Sequence, residues 1–316
     1  MKKKMKLKIL QYNVFLRNEL PFLANLYDGQ ISRMTEIPIA LGQFSSEIDI
    51  IVLNEVFHKR HNEMLDALAL YWPYQSKIIS TRMSPETSGV FILSKTPILK
   101  ESQTVYRDSG YWDFLASKGI KYIKTKKDGV FVHVFATHMQ ASYYGDSKYE
   151  KIRRNQILQL SDFIKEQGIP KNDVVVVSGD FNVSFASQEY DFLTKTLDVV
   201  KMKINKSTAS VAQTNRLHGS SHEAKQNGCF EEYKKTHVCK CCPDEMLDFV
   251  FILKKHRNPK KNAELQVWNE FKATRKICGY YGKNLSKRSG DRCELQNEIE
   301  MDDLSDHYPV VLVSEF

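Results

Sequence analysis

Six apolar runs deliver polar side chains at or near their ends: Asn13, Asn54-Glu55, His138, Asp180 with Asn182, Asp248, and Asp306-His307. Taken singly, each has a plain explanation. Glu55 could cap a helix, His138 could be a satisfied core histidine, and Asp180 with Asn182 suits an Asx-type turn. Together they are harder to dismiss, because a carboxylate or imidazole at the end of a buried strand costs solvation unless paired, hydrated or metal-bound. If these strands align in two neighbouring sheets, all the groups meet at one rim.

The inventory suits hydrolysis of a phosphate ester. Oxygen donors with few cysteines among them favour magnesium or calcium over zinc. Such a cation would neutralise charge on phosphoryl oxygens, and a histidine near neutral pKa could activate water. Neutral donors such as Asn182 and a second histidine could bind the oxygens where charge develops. No G-x-S-x-G, Walker loop or Rossmann glycine pattern supports acyl transfer or nucleotide handling.

Hydrophobic periodicity locates the elements that must position these groups. Val174–Asn182, VVVVSGDFN, opens with four β-branched residues that read as a strand buried on both faces, ended by Ser178-Gly179. Lys8–Leu16, Ile48–Leu53, Ser88–Leu93, Met246–Leu253 and Val310–Val313 also read as strands. Lys118–Lys126 and Val130–Thr137 form a predicted hairpin around Asp128-Gly129. Helices are predicted over Ile31–Phe44, starting or kinking at Pro38, and over Asn62–Leu70, Lys151–Lys165 and Phe185–Asp198. Hairpins mixed with helix-linked strands predict stacked sheets with helices outside. Residues 201–245 and 254–303 are polar and weakly patterned, and read as surface insertions on one domain spanning residues 1–316.

The chain has 316 residues, 42% of them hydrophobic, enough for a core without disulfides. No apolar run is long enough to cross a bilayer. Met1-Lys-Lys-Lys-Met-Lys has a basic start, but no unbroken apolar stretch follows, so the chain is expected to be unexported by that route or already mature. Lys+Arg exceed Asp+Glu by 46 to 38, a net +8 that favours nucleic acid or anionic membrane partners. Cys229, Cys239, Cys241, Cys242, Cys278 and Cys293 all lie late in the chain. Free thiols, disulfides and a zinc site around Cys239-Lys-Cys-Cys are equally open.

QYNVF, LNEVF, SGVFILSKTPI, FVHVFATHMQA, SGDFNV, MLDFVFI and LSDHYPV, in this order, resemble the endonuclease/exonuclease/phosphatase superfamily, and within it the bacterial neutral sphingomyelinases. The similarity runs from about Lys6 to Val313. It implies a four-layer α/β sandwich, with two central mixed β-sheets flanked by helices, and cleavage of sphingomyelin into ceramide and phosphocholine. Carried over, Glu55 is the main magnesium ligand with Asn13 alongside, and Asp306 completes the metal side. His307 is the general base, oriented by Asp248. Asp180 positions the attacking water or assists the leaving group, while Asn182 and His138 hold the phosphoryl oxygens. The implied cofactor is Mg2+, with Mn2+ or Co2+ as substitutes and Ca2+ as a further ion the site could bind.

The chain departs from the pattern in three places. A second, peripheral metal site of some relatives is doubtful here, because its places hold Lys59 and Glu86-Thr87. The disulfide of some relatives has no counterpart. The aromatic hairpin that relatives insert into lipid corresponds to a longer, basic stretch carrying Trp268, Phe271, Tyr280 and Tyr281, which could touch a membrane or cover a satellite core. The expected partner is a sphingomyelin-containing membrane surface, met peripherally by a soluble monomer with no stable nucleic-acid partner. A nuclease of the same fold and a phospholipase C for other choline phospholipids are the alternatives. A scaffold is disfavoured, because every metal and base position is intact.

Overall fold

Along β1 (Lys6–Leu16) the side chains alternate between two surroundings, as a pleated strand requires. Leu10, Tyr12 and Val14 join an apolar cluster with helical residues, whereas Leu7 and Ile9 join a second cluster between two sheets. Gln11 and Asn13 continue that inward row and reach carboxylates of the opposite sheet. The inward row therefore passes from apolar to polar along one strand.

The computed structural model describes residues 4–18, 29–79, 86–142, 147–204, 209–212, 243–261, 263–280 and 298–316. After β1 come α1 (Gln30–Gly42), β2 (Ile50–Val56), α2 (His61–Ala69), β3 (Tyr74–Gln75), β4 (Phe91–Ser94) and β5 (Lys100–Val105). The hairpin β6 (Gly119–Lys127) and β7 (Val130–His138) precedes α3 (Lys148–Glu166), β8 (Val174–Asp180), α4 (Gln188–Leu197) and β9 (Lys203–Ile204). Then follow β10 (Asp248–Ile252), β11 (Glu264–Val267), β12 (Ile277–Tyr280), β13 (Glu298–Met301) and β14 (Val310–Glu315).

One sheet has the order β3-β4-β2-β1-β14-β11-β9 and the other β10-β8-β7-β6-β5, while β12 and β13 pair separately. α1 and α2 cover the outer face of the first sheet through Met34, Ile37, Leu41, Met64 and Leu68. Ile157, Leu160 and Phe163 of α3, with Leu193 of α4, cover the second. Ile9, Val52, Val176 and Val250 are fully buried between the sheets. Each such side chain contributes about 1.5–3 kcal/mol. The result is a four-layer α/β sandwich with two central mixed sheets.

Strand direction makes the rim. β2 runs parallel to β1 and β8 parallel to β7, whereas β14 and β10 run antiparallel to β1 and β8. The C-terminal ends of β1, β2, β7 and β8 thus share one edge with the starts of β10 and β14. Register pairs Asn13 with Asn54 and sets His138, Asp180 and Asp248 in one row.

Several sequence expectations need correction. Pro38 lies inside α1 without ending it. Gly179 does not end β8, which continues through Asp180. A Cβ on Gly179 would come 2.0 Å from the Thr137 carbonyl oxygen, so the glycine serves close strand approach. The stretch 254–303 is not simply a surface insertion, because β11 hydrogen-bonds to β14 within the first sheet. Exposed, polar β5 carries no apolar alternation and escaped the sequence reading. The hairpin turn matches expectation, with Asp128 and Gly129 both at positive φ, 46° and 82°. Residues 213–242, with Cys229, Cys239, Cys241 and Cys242, lie outside the described residues, as does Cys293.

Candidate active site

The polar end of the inter-sheet layer is a connected network. Gln11 Nε2 donates to Asn54 Oδ1 at 2.6 Å and to Asp248 Oδ1 at 3.2 Å. Asn54 Oδ1 also accepts the Asp180 N–H at 3.0 Å, and its Nδ2 donates to Thr137 O at 3.1 Å. Asn13 Nδ2 donates to Glu55 Oε1 at 2.9 Å and to Asp180 Oδ2 at 3.0 Å. Buried amides with every polar group engaged fix the carboxylates in place, whereas a half-satisfied set would be costly.

Three backbone irregularities aim the side chains. β1 bulges between Asn13 and Leu16, with Phe15 at φ 49°. Glu55 sits at φ 57° and Asn182 at φ 51°. Asparagine tolerates that conformation through local bonding, and here Asn182 N–H donates to Asp180 Oδ1 at 2.9 Å. Glutamate has no such compensation, so its strain is held by the surrounding packing.

His307 Nδ1 lies 2.7 Å from Asp248 Oδ2, leaving Nε2 3.9 Å from Asp180 Oδ2 and 4.0 Å from Asp306 Oδ1. Burial opposes charge on this imidazole, but Asp248, Asp306 and Asp180 outweigh it and hold the pKa well above the ordinary value. Burial and the Asp248 charge push Asp180 up to about 7. Burial also pushes Asp306 up to about 7, with His307 opposing and Glu55 adding to the rise.

Residues 10–237 match the model of the Endonuclease/Exonuclease/phosphatase family. The chain belongs to this family. A Sphingomyelinase C of Bacillus cereus is 32% identical over 279 residues, covering 80% of this chain and 77% of that protein. One from Listeria ivanovii is 27% identical over 322 residues, covering 96% and 85%. A mutant beta toxin of Staphylococcus aureus solved with bound magnesium ions superposes with a TM-score of 0.78 at 25% identity, covering 98% of this chain and all of that one.

The Endonuclease/Exonuclease/phosphatase chain places Glu55 Oε1, Asp180 and His138 with ligating atoms within 4.8 Å of one another. Asp180, Asp248 and His307 form a second such group. Their carboxylate oxygens fit Mg2+. Glu55 and Asp180 would hold it, and it would neutralise the phosphoryl oxygens when bound. Asn13 offers something else here. Its Oδ1 accepts the Phe15 N–H at 3.1 Å while its Nδ2 serves both carboxylates, so acting as a ligand requires the amide to turn over. Asp306 accepts from Ser305 Oγ at 3.2 Å beside the same cleft.

Two residues absent from the sequence expectations make contacts around the site. Lys118 is 4% exposed, and its Nζ donates to Asp113 Oδ2 at 2.8 Å and Met139 O at 3.0 Å. It also lies 3.1 Å from His138 Nε2. Burial, then Lys118, depresses the His138 pKa well below the ordinary value, so the ring is a neutral acceptor from the ammonium. His138 is expected to hold phosphoryl oxygens; its Nε2 is engaged by Lys118 while its buried Nδ1 has no hydrogen-bond partner, and one hydrogen of the Asn182 amide goes to Met139 O at 3.2 Å. Arg33, on the inner face of α1, donates to Val14 O, Phe15 O and Leu304 O, tying the end of β1 to the loop bearing His307. Only the spacing of Lys118 before a strand hinted at its position, and nothing local marked Arg33.

The aromatics expected at a membrane are divided. Phe271 is 6% exposed and packs edge-on against Tyr12, which places it in the core and removes it from the contact set. Trp268 is half-buried against Phe44, their centroids 4.6 Å apart. Tyr280 ends β12, and Tyr281 lies outside the described residues.

Proposed function

We propose that this chain is a magnesium-dependent phosphodiesterase that hydrolyses sphingomyelin to ceramide and phosphocholine. The observation that carries the reading is the 2.7 Å bond from His307 Nδ1 to Asp248, which turns Nε2 toward the carboxylate-lined cleft. In this reading the Asp248 contact fixes the tautomer, so Nε2 takes the proton from water as its oxygen attacks phosphorus. The bond from phosphorus to the ceramide oxygen breaks, and that oxygen needs a proton. Solvent at the open cleft supplies it, and His307 returns its own proton to solvent, while Asp180, ionised beside the cation, orients the attacking water. The Asn182 amide faces the oxygens that gain charge.

The sphingomyelinase relatives and the magnesium-bound beta toxin neighbour support the same substrate and cation. Mn2+ or Co2+ would replace magnesium, and Ca2+ would bind as a further ion. The protein would act as a monomer at a sphingomyelin-containing membrane, without a stable nucleic-acid partner. Purified protein should release phosphocholine from sphingomyelin vesicles with Mg2+, stop with EDTA, and leave supercoiled plasmid uncut. Plasmid nicking without phosphocholine release would replace this reading with a nuclease.

A further inference from the structure

Two apolar side chains stand in water next to Asp113, whose partner Lys118 contacts His138 of the site. Phe114 is 70% and Leu115 38% exposed, on the 3-10 turn Tyr111–Leu115 that leads into β6. Other strongly exposed apolar residues lie elsewhere. Leu70 and Tyr71 follow α2, Tyr74 opens β3, Ile39 and Leu158 lie within α1 and α3, and Leu99 precedes β5 at the end remote from the rim. An exposed phenylalanine forgoes the stabilisation that burial would give, so an apolar pair beside the reacting groups calls for a partner.

The turn is built to meet an apolar phase. Its middle residue is acidic, yet the fold draws that charge inward: Asp113 Oδ2 accepts from Lys118 Nζ and from Ala141 N, both at 2.8 Å. The tip is left with side chains that lose nothing by leaving water. Backbone bonds pin it on both sides, from Gly110 N to Gln140 Oε1 at 2.7 Å and from Glu86 N to Leu115 O at 3.1 Å. A turn already ordered gives up little entropy on contact. Through Asp113 and Lys118 it is also two side chains away from His138.

We infer that the Tyr111–Leu115 turn is a membrane-contact element, with Phe114 and Leu115 entering the interfacial layer of the bilayer that presents the phosphodiester. This rests on the sphingomyelin reading, since a lipid substrate is what brings a bilayer to this rim. Aromatic and aliphatic side chains beside cationic ones suit that layer, and Arg107 stands four residues before the turn.

Sedimentation with sphingomyelin/phosphatidylcholine vesicles and Mg2+, in a His307→Ala background that spares the lipid, tests it. Adding Phe114→Ser with Leu115→Ser should weaken vesicle binding roughly tenfold without lowering the melting temperature. In the active enzyme the same pair should lower the ratio of turnover on vesicles to turnover on short-chain sphingomyelin below its micelle concentration. As a second probe, Phe114→Trp in a Trp112→Phe background should give vesicle-dependent blue-shifted emission, quenched by brominated phosphatidylcholine, above the background of Trp72 and Trp268. Unchanged binding in the double variant, or an introduced indole blind to brominated lipid, overturns the inference. Wild-type protein that binds vesicles through this turn yet releases no phosphocholine from either substrate would overturn the sphingomyelinase reading alone.

Discussion

Lys118 holds its ammonium 3.1 Å from Nε2 of His138, and its remaining hydrogens go to Asp113 and the Met139 carbonyl. A buried cation thus faces an imidazole across the cleft from the His307–Asp248 pair, and burial together with that cation keeps the imidazole neutral. Lys118→Met should cost about 3–5 kcal/mol of stability, because the Asp113 carboxylate stays buried without its partner. Lys118→Met with Asp113→Leu should recover most of that stability in a thermal melt. It should not recover the rate, and His138 should titrate closer to an ordinary histidine by NMR.

His307→Ala should lower kcat by at least about two to four orders of magnitude, the range for losing a general base. Asp248→Asn is the sharper test. It removes the largest influence that raises the His307 pKa, so the acid limb of the pH–rate profile should move to lower pH while kcat falls. A limb that stays in place would remove His307 from the role of base.

Magnesium affinity should rise with pH. Asp180 and Asp306 are both pushed up to about 7, chiefly by burial, so at pH 6 both are mostly protonated. A cation can be bound only as those protons leave. Calorimetry should give a dissociation constant about a hundredfold tighter at pH 8 than at pH 6, with proton release on binding. The sign also reaches stability without added metal. A raised carboxylate pKa favours the folded state below it, so that contribution fades as pH climbs from about 4 through 7.

Gly179→Ala should damage both fold and function. The added methyl would meet the Thr137 carbonyl oxygen at 2.0 Å, forcing β7 and β8 apart one residue before His138 and Asp180. Overpacking of this kind costs typically about 1–3 kcal/mol. Melting temperature and activity should fall together. Gly129→Ala at the distant hairpin turn, where nothing crowds the added methyl, should cost only its backbone strain and leave the rate intact.

Much of this was legible in the sequence because the strands concerned announce themselves twice. VVVV, IIVL and VFIL are apolar enough to be buried, and each runs into or out of polar residues that a packed layer would otherwise reject. That pattern located Glu55, Asp180 and Asp248 without any contact information. Lys118 stayed hidden because a lysine beside a strand usually points to solvent, and only tertiary packing turned it inward. Arg33 was hidden likewise on the apolar face of α1. β11 was missed since four residues carry little periodicity, and Phe271 misled because composition alone does not say which side of a segment faces the core.

The inward rows place Asn13 and Glu55 on one sheet and His138, Asp180 and Asp248 on the other, so the reaction centre lies across the seam between two separately hydrogen-bonded halves. Neither half holds a working set. Turnover is therefore a gauge of docking: a swollen, partly assembled chain that kept all its secondary structure would be silent, and returning activity during refolding would time the closing of that seam.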